Sequence, residues 1–125
     1  MTSRREARRQ ALELLYQWDL TRQPLASLHE GVADSFAYEL AEGVVARAQE
    51  LDARIDEAAV DWRADRLGVV ERTILRIALF ELDRGDVPVE VALDEAVSLA
   101  KRYASEDAAR LVNGILGRVV REAKT

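Results

Sequence analysis

The chain has 125 residues, of which 49% are hydrophobic and 33% charged, with a net charge of −5 and no cysteine. That size and mix fit one folded domain rather than a disordered chain, and the absence of thiols excludes disulfides and thiolate metal sites and suits a reducing cytoplasm. No apolar run approaches the ~20 residues of a membrane span, and a chain rich in Ala, Leu, Arg and Glu with only two prolines favours helix nearly throughout.

The charge is unevenly spread. Residues 1–10 hold four arginines and one glutamate, a local charge of +3, which leaves −8 on the remainder. An acidic body with a basic start needs a separate explanation for each. Ser3-Arg4-Arg5-Glu6 has the S-x-x-E form of a capping box, so a first helix is predicted to start at Ser3. Ala7, Ala11, Leu14, Leu15 and Trp18 follow at three- and four-residue steps as its buried stripe. With that stripe at the origin, steps of about 100° per residue set Arg4, Arg8, Arg5 and Arg9 at about 40°, 80°, 140° and 180°, and Tyr16 at about 160°. Glu6, Gln10, Glu13 and Gln17 fill the opposite flank. The arginines are therefore expected to share one side of the helix with an aromatic ring, away from the acids. This basic start has the composition of a transit peptide, but it runs directly into core positions and reads as mature protein.

Pro24 is expected to end the first helical region, and a short amphipathic piece from Leu25 to about Val32 leads to an N-cap at Asp34. Phe36, Leu40, Val44, Ala48, Leu51, Ile55, Ala59 and Trp62 then keep helical phase. That is long for one globular helix, so a bend or break is predicted near Leu51 to Ile55. Arg63-Ala64-Asp65-Arg66 reads as a junction between subdomains.

The most apolar run is Val69 to Leu82. Its charges fall at helical spacing and its apolar residues cover most of the circumference, which predicts a central helix wrapped by the others. Arg76 and Glu81 within it are read as serving packing and solubility. Asp83-Arg84-Gly85 is a stop with Gly85 available for the left-handed position, and Pro88 suits the first turn of the next helix. That helix is expected to bury Val91 or Ala92, then Ala96, Leu99 and Ala100. Ser105 can cap a last helix with Glu106 and Asp107 in its first turn and Val112, Ile115, Leu116 and Val119 on its buried face. The expected fold is all-α: a single compact domain of six or seven helices, with an N-terminal helical subdomain (1–62) packed on a C-terminal four-helix subdomain (63–125).

No enzyme motif stands out. His29 has no cysteine or second histidine to work with, and the six glycines make neither a P-loop nor a dinucleotide fingerprint. Gly114-Ile115-Leu116-Gly117 matches a bare GxxG, but inside a helical pattern, which rules out a KH clamp. The pairs Asp94/Glu95 and Glu106/Asp107 are explained as first-turn acids facing the helix dipole. What remains is the basic first helix. Guanidinium groups grip phosphates bidentately, and a ring among them can stack an unpaired base; that combination suits single-stranded RNA better than duplex DNA. From the residues alone, merely solvated arginines remain an open alternative. Arg110, Gly114, Gly117 and Arg121 form a second basic stripe, where the glycines admit either a ligand or a packing helix. Asn113 is expected at the core edge, hydrogen-bonded.

Glu71-Arg72 with Leu75 to Leu82, Val87-Pro88, Ala92 to Val97, Leu99-Ala100-Lys101 and Val112 to Leu116, together with the first-helix arginines and Leu15-Tyr16-Gln17-Trp18, resemble the NusB transcription antitermination family nearly end to end. In residues 20–60 only length and helical character agree. The resemblance implies a non-enzymatic, cytoplasmic RNA-binding protein without a cofactor. It would pair with NusE, a small-subunit ribosomal protein, on single-stranded boxA RNA of nascent ribosomal RNA transcripts, within an RNA polymerase antitermination complex. It implies an RNA-binding role for Arg4, Arg5, Arg8, Arg9, Tyr16, Asp107 and Arg110, and a partner-facing role for Glu71. Some members self-associate, so a homodimer stays open. Glu6 interrupts the family's basic run and Leu111 stands where an aromatic is common, which weighs against stacking there. The rivals are a dimerising or structural helical protein without RNA function, and a stand-alone relative of the RNA-binding domain of RNA cytosine methyltransferases. Those enzymes continue into a methyl-donor-binding domain, and this sequence ends at Thr125.

Overall fold

The computed structural model describes residues 3–28, 34–60 and 67–123, and among these the chain forms seven helices and no strand. In order they are α1 (Arg4–Thr21), α2 (Leu25–Leu28), α3 (Ser35–Ala46), α4 (Ala48–Ala58), α5 (Val69–Arg84), α6 (Val89–Tyr103) and α7 (Glu106–Ala123). None is long and apolar enough to cross a membrane. Val32, His29, Trp62 and the junction at 63–66 lie outside the described residues.

Helix α5 is the centre, as its apolar circumference requires. It packs against α1, α3, α4, α6 and α7, and every residue from Thr73 to Glu81 is buried. Gly68 caps it, with its N–H donating to the Glu71 carboxylate at 3.3 Å. Gly85 ends it in the left-handed region at φ 74°. On the other side, α3 comes so close that a Cβ at Gly43 would stand 2.2 Å from Phe80 Cζ. Only glycine allows that approach.

The charges inside α5 do more than solubilise it. Arg76 is buried with Nε 2.7 Å and Nη2 2.9 Å from the Asp52 carboxylate of α4, and Nη1 3.2 Å from Asp19 of α1. Glu81 is buried against Arg8 of α1. These charges tie α5 to its neighbours; a buried ion is tolerated only when paired and hydrogen-bonded. Helical spacing could not separate these two residues from solvated charges, because their partners lie far away in sequence.

The break in the 35–58 region falls at Arg47 rather than near Leu51 to Ile55. There φ is −115°, and the Arg47 N–H bonds Val44 O at 3.1 Å, a three-residue step. The break turns α4 onto α5 and α7, and Arg47 reaches across to Asp83 at 2.7 Å. One residue out of register barely disturbs the apolar phase, so periodicity did not locate it. Likewise α1 stops at Thr21, ahead of Pro24, with Arg22 left-handed at φ 58°.

The remaining helix ends follow local chemistry. Ser3 accepts from Glu6 N at 3.0 Å, Asp34 from Phe36 N at 2.8 Å, and Ser105 from Ala108 N at 3.0 Å. Glu6, however, does not complete a capping box, because its carboxylate turns to Arg9. On α6, Ala92, Ala96, Leu99 and Ala100 are buried while Val91 is exposed. On α7, Val112, Ile115 and Leu116 are fully buried and Val119 partly so.

Candidate nucleic-acid interface

The four arginines of α1 do not form one face. Its buried side is wider than the Ala7–Trp18 stripe, taking in Leu12 and Arg8 as well. Arg8 sits between α1 and α5, with Nε 2.7 Å from Glu81 Oε1 and Nη2 3.0 Å from Oε2, a fork-to-fork pair with both side chains almost fully enclosed. With its side chain only 6% exposed, it serves the fold rather than the surface. Arg4 lies on the same side but outside, its guanidinium 3.7 Å above the Phe36 ring. Together they line a hollow of about 270 Å³ bounded by Arg84, Pro88 and Val91.

Arg5 and Arg9 point the other way, toward α6. Arg5 is 73% exposed and places Nη2 3.0 Å from Glu95 Oε1. The Glu95 carboxylate holds the Arg5 pKa above its ordinary value, first by hydrogen bonding and then by charge. Arg9 is held by Glu6 and by Glu13, the latter at 2.8 Å, and its hydrogen bonds draw the Glu6 carboxyl below the usual range. The acids are therefore interleaved with the arginines. Residues at 180° and 220° on a helical wheel are neighbours, a consequence the projection already contained.

The end of α6 closes this side. Arg102 lies over the Tyr103 ring at 5.3 Å. A hollow of about 130 Å³ is lined by Arg5, Glu6, Arg9, Glu95, Arg102 and Tyr103. Beside it runs a wider groove of about 460 Å³, lined by Arg9, Leu12, Tyr16, Val70 and Tyr103 among others. Tyr16 and Tyr103 are 40% and 37% exposed and border the same groove. Rings beside cations can stack bases while guanidinium groups take the phosphates. Sequence reasoning missed Arg102 and Tyr103. The only signal was a polar-aromatic end to α6, where a last-turn cation is already explained by the helix dipole.

The other anticipated residues scatter. Asp107 and Arg110 pair with each other at the start of α7, both largely exposed. Among the described residues no hydrogen bond or ion pair joins them to α1; the link is the chain itself, since Tyr103 lies two residues before the Ser105 cap. Glu71 is partly buried and its carboxylate already caps α5. Asp94 and Glu95 lie in the second turn of α6, not the first, and Glu95 serves Arg5. On α7, a Cβ at Gly117 would lie 3.3 Å from Arg121 Nη1, so this glycine makes room for the arginine four residues on. Asn113 is exposed and makes no side-chain hydrogen bond among the described residues.

Residues 5–121 match the family model described as the NusB family. A transcription antitermination protein NusB from Solibacter usitatus (strain Ellin6076) is 39% identical over 98% of this chain and 91% of the relative. The solved structure of NusB from T. maritima superposes with a TM-score of 0.82 at 34% identity, covering 97% of this chain and 92% of that one. A crystal structure of antitermination factors NusB and NusE in complex with dsRNA superposes at 0.81 with 31% identity, covering 95% and 96%.

Proposed function

This chain belongs to the NusB family of transcription antitermination factors, and we propose that it works by holding single-stranded, boxA-type RNA of nascent ribosomal RNA transcripts together with NusE. The family is one of RNA-binding factors and not of enzymes. The observation that carries the finer reading is the groove between α1 and the end of α6, where Tyr16 and Tyr103 face one opening beside Arg9, with Arg5 and Arg102 next to it. Two partly exposed rings favour unstacked bases, which duplexes do not offer. A related NusB is known in complex with NusE and double-stranded RNA, so duplex RNA is the natural competitor to test.

The family's RNA role passes here to Arg4, Arg5, Arg9 and Tyr16, with Arg102 and Tyr103 added, and Asp107 and Arg110 at the outer margin. Arg8 drops out of the set, because it is buried against Glu81. Glu71, partly buried at the start of α5, is the position for NusE. The protein then works in the cytoplasm within an RNA polymerase antitermination complex. With about four phosphate contacts on a single strand, log K falls with log salt at a slope of about −3.

The test is gel filtration of the purified protein with NusE, with and without boxA RNA, next to a duplex of the same sequence. Co-elution that strengthens with the single strand is expected. No complex with NusE and no RNA retained under any condition would contradict the reading. Glu71→Lys is expected to weaken co-elution with NusE; an unchanged complex would remove Glu71 from the partner surface.

A further inference from the structure

The arginines best placed for RNA are already occupied by the protein's own carboxylates. Glu95 is the clearest case. Its side chain is only 14% exposed, in the wall of the hollow, and its carboxylate accepts from Arg5 Nε at 3.3 Å to both oxygens and from Nη2 at 3.0 Å. A carboxylate and a phosphate present the same thing to a guanidinium fork, two acceptor oxygens at matching spacing. Arg5 itself is 73% exposed, so a ligand in solvent can reach it. Glu95 also has a second cation, since Arg8 Nη1 stands 4.0 Å from its Oε2. If Arg5 leaves, Glu95 is not stranded as an unpaired, half-buried charge, because the fixed guanidinium of Arg8 remains beside it.

We propose that Glu95 is an internal substitute for an RNA phosphate, which keeps Arg5 occupied until RNA displaces it and so sets the affinity of the free protein for RNA. This rests on the RNA reading of the α1–α6 groove. Arg9 is held in the same way by two acids, Glu6 and Glu13. The device makes the free protein a weak RNA binder in spite of its basic first turn.

The test uses a 12-nucleotide single-stranded RNA, titrated by fluorescence anisotropy into the full chain and into Glu95→Gln, Arg5→Ala and the double variant. Glu95→Gln keeps the shape and an acceptor but removes the charge. It is expected to bind roughly two- to fivefold tighter, the strength of an exposed ion pair read as a ratio. That gain is expected to vanish in the Arg5→Ala background, because only Arg5 is released. A gain that persists without Arg5 would reduce Glu95 to a general repulsion and overturn the proposal. Equal or weaker binding by Glu95→Gln would also overturn it, since Glu95 would then be positioning Arg5. Glu95→Asp withdraws the carboxylate from Arg5 by one methylene and covers the case in which Glu95→Gln does not fold; it too is expected to bind tighter. If Arg5→Ala alone weakens binding while Glu95 has no effect, the RNA reading stands and this inference falls. If neither the unmodified chain nor any variant binds RNA, both fall.

Discussion

Arg5 and Arg8 sit one turn apart on α1 and both approach Glu95, yet they belong to different parts of the molecule. Arg8 is enclosed between α1 and α5 and gives the Nε–Nη2 edge of its guanidinium to both oxygens of Glu81. Arg5 leans over the edge of α6 into solvent. The inner arginine fixes where the helix lies; the outer one is available to a ligand. A residue type that suits phosphate binding therefore says nothing about role until its place on the helix is known.

The largest effect should come from breaking the inner pair. Arg8→Ala leaves Glu81 charged, buried and unpaired, and is expected to cost about 3–5 kcal/mol of stability, read from urea unfolding. Replacing both partners, as Arg8→Met with Glu81→Leu, should recover most of that loss, because no charge is left stranded. If Arg8→Ala were as stable as the unmodified chain, the inner and outer arginines would not differ in the way described. Gly43→Ala comes next. It forces a methyl against the Phe80 ring, and overpacking of this kind costs about 1–3 kcal/mol. A loss well below that range would mean that α3 and α5 can separate cheaply.

Acid should weaken the ionic ties within the fold. Burial works most strongly against ionisation of Asp52, but the hydrogen bonds and charges of Arg76 and Arg72 together outweigh it and hold the carboxyl below its usual range. Asp83, likewise opposed by burial, is held down by Arg47 and Arg54. Groups depressed in the folded state contribute stability at pH values above the unfolded carboxylate pKa of about 4, and that contribution is lost as pH falls through the folded pKa. Thermal midpoints are therefore expected to be flat from neutral to about pH 5 and to drop below about pH 4. Asp52→Asn should shallow that drop, and an unchanged profile would count against this assignment.

The fold was legible in the sequence wherever it is set by local chemistry. Ser3, Asp34, Ser105 and Gly85 act at their helix ends as their residue types require, and the apolar circumference of 69–82 is enough to place α5 at the centre. What could not be read depends on distant pairs. Glu81 lies 73 residues from Arg8, and Glu95 lies 90 from Arg5. Nothing near Arg8 marks it as buried, since a wheel centred on Ala7 and Trp18 puts it at the rim. The site suffered in the same way. Tyr16 was visible because it shares a helix with the arginines, whereas Arg102 and Tyr103 reach the groove only because α6 packs beside α1.

The smallest effect on stability and the most direct test of function fall on the outer face. Arg5→Ala with Arg9→Ala removes one exposed and one partly buried side chain, each paired only with acids near the surface, and stability should change by no more than about 1 kcal/mol per site. The deciding measurement is the affinity of this double variant for single-stranded boxA RNA across a salt series, next to the unmodified chain. Removing two phosphate contacts should weaken binding throughout and make the log K against log salt slope shallower by about 1.4. An equally stable double variant with unchanged affinity and slope would contradict the assignment of the α1–α6 groove to RNA.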